Sequence, residues 1–137
     1  MRIGVIGHLE RPTNEFELVK LIKAGIALAK GDRSWDDITI VSKLVSKGIP
    51  LLAYKIAKAR RVKTMGIASP SAVSDDWLLC DRFLITHDES SAFLLAIDSL
   101  ICIGGGPMCL EEVRRAKLER IPVYEFELPK LINVKVV

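Results

Sequence analysis

The sequence predicts an α/β fold built on an open, mainly parallel six-stranded sheet with helices on both faces. Three observations carry that expectation. Short β-type runs alternate with amphipathic helical stretches along the whole chain, and that alternation demands crossover connections. One run, residues 100–103, is apolar throughout, as a central parallel strand covered on both faces has to be. Directly after it come Gly104, Gly105 and Gly106, and then a helical stretch; the loops that follow strands are where parallel sheets hold their ligands.

In order, the first strand covers residues 2–6, with Gly4 and Gly7 allowing close backbone approach. Asn14 with Glu17 three positions later forms a capping box for the first helix. That helix carries Leu18, Leu21, Ile22, Gly25, Leu28 and Ala29 on one face and stops at Gly31. A second strand spans 37–42, and a loop over 43–47 leads to a helix from about residue 49, with Pro50 in its first turn, where a missing N–H does little harm. The third strand, 63–68, ends at Ser69-Pro70. Residues 71–81 show no clear period, and Trp77-Leu78-Leu79 is expected to cap an edge of the core. The fourth strand is 82–86, and His87-Asp88-Glu89-Ser90 opens a helix over 91–97. The apolar fifth strand, a last helix over 108–119 and a sixth strand over 121–126 complete a Rossmann-like pattern in one domain, 1–137. The tail, 131–137, reads equally as a further strand or a dimer contact.

Composition narrows the function. Of the 137 residues 50% are hydrophobic and 27% charged, the mixture of a globular protein and not of a disordered one. No apolar run is long enough to cross a bilayer, and Met1 runs straight into a strand without a secretory h-region, so a cytoplasmic protein without a membrane partner is expected. Three cysteines, Cys80, Cys102 and Cys109, include no Cys-x-x-Cys pair and signal neither a disulfide framework nor zinc. The net charge of +3 is too small to argue for nucleic acid. The basic cluster Lys58, Arg60, Arg61 and Lys63 reads as cations complementing a helix end. If it instead lay on an open surface, it would serve a single-stranded nucleic-acid-binding module, the alternative reading.

Ligands of open parallel sheets sit beyond the carboxyl ends of the strands, where the chain order reverses. That rule selects Gly7, His8, Ser42, Lys43, Ser69, His87, Asp88 and the three glycines as candidates. Three glycines before a helix free their amides and the positive helix end to face an anion, and phosphate is the natural guest. A tight turn needing positive φ explains the same glycines without a ligand. Glu112, one turn into the helix, is placed to act as acid, base or acceptor for a sugar hydroxyl, although acidic residues also favour early helical turns for dipole reasons. His8 and His87 would share a cleft if the first and fourth strands were neighbours. No metal and no resident cofactor is expected.

The segment Ile103-Gly104-Gly105-Gly106-Pro107-Met108-Cys109-Leu110-Glu111-Glu112 resembles the motif Pro-Gly-Gly-x-Gly-Thr-x-x-Glu of the superfamily that joins DNA-processing protein A to the Lonely Guy and lysine decarboxylase-like proteins. Aligned without gaps, Gly104 takes the proline place, Gly105 and Gly106 the glycine pair, Met108 the third glycine, Cys109 the threonine and Glu112 the glutamate. Ile40-Val41-Ser42 with Gly48-Ile49-Pro50, the segment Met65 to Pro70, and Ile97-Asp98-Ser99-Leu100 extend the similarity over nearly the whole chain. The resemblance implies a Rossmann-like homo-oligomer, a dimer, that binds a nucleotide or nucleotide-derived phosphate ligand. It would act as a sensor or as a diverged phosphoribohydrolase-like enzyme, with Glu112 contacting ribose or assisting N-glycosidic cleavage. The chain departs from the pattern at Glu89 and Ser90, where the hydrolases carry an Arg-Lys pair, and at Lys43, where a glycine is usual.

Overall fold

The computed structural model describes residues 1–8, 15–45, 47–72 and 80–127. The elements are β1 (Arg2–Gly7), α1 (Glu15–Lys30), β2 (Thr39–Lys43), α2 (Gly48–Ala59), β3 (Lys63–Ala68), β4 (Arg82–Ile85), α3 (Glu89–Ala96), β5 (Ser99–Ile103), α4 (Pro107–Leu118) and β6 (Val123–Phe126). Short 3-10 turns occupy Trp35–Asp37 and Pro70–Ala72. Asn14, residues 77–79 and the tail 131–137, on which expectations were placed, lie outside the described residues.

The strands form one six-stranded sheet in the order β4-β3-β2-β1-β5-β6. All five strand pairings are parallel. From β1 the chain winds outward through β2, β3 and β4, then returns to lay β5 on the other side of β1, so the order reverses between β1 and β5. Side chains alternate across each strand and feed two apolar layers. One face of the sheet, with Ile3, Val5, Ile40, Ile101 and Ile103, packs on Leu18, Ile22 and Ile26 of α1 and on Ile49, Leu52 and Ile56 of α2. The other, with Ile6, Val41, Ile67, Leu100 and Cys102, packs on Phe93, Leu94, Val113 and Ala116 of α3 and α4. Each fully buried Ile, Leu or Phe in these layers contributes roughly 1.5–3 kcal/mol.

Two expectations are corrected. The second strand starts at Thr39, because Ser34 accepts a hydrogen bond from the Asp36 N–H and winds Trp35–Asp37 into a capped 3-10 turn. On α1 the buried face is Leu18, Ile22, Gly25, Ile26 and Ala29, whereas Leu28 is 58% exposed. Spacings of four, three, one and three keep that stripe continuous on a helix, and position 28 falls outside it.

Candidate functional site

A cavity of about 330 Å³ opens beyond the carboxyl ends of β1 and β2, against the start of α4. It is lined by Ile6, Gly7, His8, Ser42, Lys43, Pro50, Gly106, Pro107, Cys109 and Glu112. This is the point where the strand order reverses, and adjacent loops part there because their connections leave to opposite sides.

Local packing builds the floor. A Cβ on Gly7 would lie 2.3 Å from the Ile103 carbonyl oxygen and 2.7 Å from Ile49, so only glycine lets β1 end against both β5 and α2. The His8 N–H donates to the Ile103 carbonyl, and the His8 carbonyl accepts from the Ile49 N–H, tying β1, β5 and α2 together at the rim. The Ser42 hydroxyl, fully buried, donates to the Val5 carbonyl at 2.6 Å. The Tyr54 hydroxyl of α2 donates to the Lys43 carbonyl at 2.7 Å, and burial pushes its pKa far above the ordinary tyrosine value. Lys43 is thereby held at the cavity wall.

The glycine turn forms the opposite wall. Gly104 and Gly105 adopt positive φ, 61° and 114°, and Gly106 caps α4 ahead of Pro107. A Cβ on Gly105 would meet Cys109 at 2.7 Å, while one on Gly106 would meet open space. The Gly104 N–H donates to the Phe126 carbonyl at 2.9 Å. Among the described residues the Gly105 and Gly106 amides donate no backbone hydrogen bond, and both residues are exposed. The turn is therefore open, with the Gly105 amide and the positive end of α4 left to an anion, whereas the Gly106 amide is directed at the Cys109 sulfur.

Glu112 is the unusual group. It is only 2% exposed, and its Oε1 takes the Lys43 ammonium at 2.7 Å and the Ser90 hydroxyl at 3.4 Å. Its Oε2 is buried without a hydrogen-bond partner among the described residues. Leaving such an acceptor unpaired costs about 1–3 kcal/mol.

Two thiols stand beneath the glycine turn. Cys102 donates to the Gly104 carbonyl at 3.2 Å, and Cys109 to the Gly7 carbonyl at 3.7 Å. The neighbouring Cys102 thiol holds the Cys109 thiol below the ordinary value, at about 7, helped by the Lys43 charge and opposed by burial and by Glu112. The interaction with Cys109, and burial, push the Cys102 thiol far above the ordinary value. Cys109 lies on the cavity wall.

The structure brings Gly7, His8, Ser42, Lys43, Gly106, Cys109 and Glu112 to one cavity, with Gly104 and Gly105 in the turn that shapes it. Met108 sits in the first turn of α4. His87 is exposed beyond β4 at the far edge of the sheet, two strands removed from β1, so the two histidines do not share a cleft. Sequence reasoning missed Ile6, Pro50 and Pro107 as walls, and it missed the Ser90 hydroxyl as a partner of Glu112. Extending the switch-point rule to the helix that follows β2 would have found Pro50. Nothing local announced Ser90, whose contact spans 22 positions.

No protein-family model matches the sequence, and no curated protein matches it. Solved structures do match the fold. That of the molybdenum cofactor carrier protein from Chlamydomonas reinhardtii superimposes with a TM-score of 0.71 at 26% identity, over 94% of this chain and 78% of that one. That of the molybdenum cofactor binding protein from the phototrophic bacterium Rippkaea orientalis gives 0.69 at 24% identity, over 92% and 76%. The structural-genomics target TM1055 gives 0.68 at 18% identity, over 89% and 71%. The chain shares with them an α/β, Rossmann-like architecture.

Proposed function

We propose that this chain is a binding protein for a phosphate-bearing heterocyclic ligand, and that within this class the molybdenum cofactor, a phosphorylated pterin carrying the metal, is its cargo. The observation that carries the reading is the buried, half-satisfied Glu112 carboxylate facing a cavity whose other wall is an open glycine turn. One wall accepts hydrogen bonds and the other donates them. A ligand with a phosphate at one end and N–H or O–H donors on its ring or sugar matches both. The 26% identity with a molybdenum cofactor carrier over 94% of the chain favours the pterin within that class.

The residues present fit such a group. The Gly105 amide and the amino end of α4 would hold phosphate, and the Glu112 carboxylate would accept from an N–H or O–H of the ligand. When bound, the cofactor supplies the redox chemistry of its metal; the chain's own part is to hold and shield it. Lys43 is committed to Glu112 at 2.7 Å, so it acts on a ligand by fixing that carboxylate. A similarity to the Lonely Guy and DNA-processing superfamily supports the same class of ligand through the glycine segment. Because Glu89 and Ser90 stand where the hydrolases carry Arg and Lys, the reading is binding and not base release.

The test uses cofactor released from a molybdoenzyme, and nucleoside monophosphates as competitors. Pterin fluorescence and molybdenum should co-elute with the protein on gel filtration. A cofactor concentration of about one hundred times its Kd should raise unfolding free energy by about 2.7 kcal/mol. Glu112→Gln should weaken retention about tenfold, the equivalent of about 1.4 kcal/mol. Preferential stabilisation by a nucleoside monophosphate would shift the cargo to nucleotides, and release of free base would make the protein an enzyme. No response to either class would sink the proposal.

A further inference from the structure

A second cavity, of about 700 Å³, lies at the opposite end of the sheet, where the strands begin. Arg2 opens β1, Lys63 opens β3 and Arg82 opens β4; Lys58 comes from the last turn of α2 and Arg61 from the bend after it, and all five line the cavity. Parallel strands place their first residues side by side, so cations remote in sequence become neighbours. All five residues are exposed, and none of their side chains forms an ion pair among the described residues. Among the described residues the lining holds one carboxylate, Asp81, and its Oδ2 is engaged by the Thr64 N–H at 2.9 Å and the Thr64 hydroxyl at 3.3 Å. Arg61 has φ 56°, a left-handed position that glycine adopts freely, so a guanidinium occupies a place where backbone economy favours no side chain.

The carbonyl end of α2 accounts for one cation, since a helix C-terminus attracts positive charge. Among the described residues the others have no such partner. Three planar guanidiniums and two ammoniums around one hollow match oxyanions, guanidinium groups pairing with phosphate through parallel N–H donors. Among the described residues the lining contains no aromatic ring, so these residues offer no stacking platform for the bases of a single-stranded nucleic acid. Its volume falls within the range of small-molecule sites, roughly 300–1,000 Å³.

We propose that this groove binds a compact polyanion, an oligophosphate chain, either free or as the tail of a nucleoside triphosphate. The site is separate from the glycine cavity and does not depend on what that cavity holds.

Calorimetric titration with inorganic tripolyphosphate, ATP, AMP, orthophosphate and oligo(dT), at low and high salt, tests it. Tripolyphosphate and ATP should bind at least about tenfold tighter than AMP or orthophosphate and weaken as salt screens the cluster. Equal affinity for the first two assigns recognition to the phosphate chain alone; tighter ATP adds the nucleoside. Arg82→Glu and Lys63→Glu should each weaken binding about tenfold or more. Arg61→Gly suits the left-handed bend, so it removes a guanidinium while keeping the fold, and it too should weaken binding. Glu112→Gln should leave the affinity unchanged. The proposal is overturned if tripolyphosphate gives no heat, if orthophosphate binds as tightly, if Arg61→Gly binds like the parent, or if oligo(dT) binds tighter than tripolyphosphate. Loss of binding in Glu112→Gln would move the anion to the other cavity and overturn it as well.

Discussion

Three residues set the chemistry of the glycine cavity, and each is controlled by one neighbour. Glu112 and Lys43 are 3% and 16% exposed at the side chain, so removing either strands a charge in a poorly hydrated place. Lys43→Met is expected to destabilise the fold by about 3 kcal/mol or more. The double variant Lys43→Met, Glu112→Leu should recover most of that loss, because replacing a whole buried pair is nearly neutral. Urea unfolding of the four proteins of this cycle measures it; additive losses would contradict the pairing. Cys109 depends on the neighbouring Cys102 in the same way. Its pKa is lowered to about 7, so thiolate and alkylation rate should rise through pH 7 and level off above it. Cys102→Ala removes that neighbour and should move the midpoint upward, toward the ordinary thiol value, and slow alkylation at neutral pH. Rates measured against pH with iodoacetamide and peptide mapping check both statements.

At the scale of elements, the turn between β5 and α4 and the end of β1 are shaped by glycines with different duties. Gly105 combines φ 114° with a Cβ position 2.7 Å from Cys109, so Gly105→Ala should cost about 1–3 kcal/mol and disturb the thiol. Gly106 has an ordinary negative φ and open space about it, so Gly106→Ala should cost about 1 kcal/mol or less, through the weaker helix cap alone. Thermal unfolding of the pair separates the two, and equal losses would refute this account. The sequence made the glycine turn itself legible, because three glycines after an apolar strand leave few other structures available. The start of β2 was not legible: Ser34 diverts the following residues into a 3-10 turn through a hydrogen bond that no hydrophobic period reveals.

For the whole molecule, the parallel sheet separates function by polarity. Carboxyl ends gather the glycine turn, the thiols and Glu112, and amino ends gather five cations. The two ends of β1 lie about 17 Å apart at the usual rise per residue. Perturbations at that distance with no shared partner add nearly independently. Saturating the basic groove with tripolyphosphate should therefore change the affinity of the glycine cavity by less than about twofold, as read by paired titrations. A larger effect would reveal a shared element. Among the described residues no helix is long and apolar enough to cross a membrane.

What the chain alone determined is the alternation of elements, the parallel sheet and the glycine turn, because periodicity, punctuation by Gly and Pro, and apolar strand composition are local properties written residue by residue. What only the tertiary structure decided is which distant side chains meet. The place of β4 at the sheet edge parted His87 from His8. Packing of α3 beside α4 set Ser90 against Glu112, and the parallel register drew Arg2, Lys63 and Arg82 to one groove. Strand order and helix packing are settled by the burial of two apolar layers at once, and no single segment carries that information.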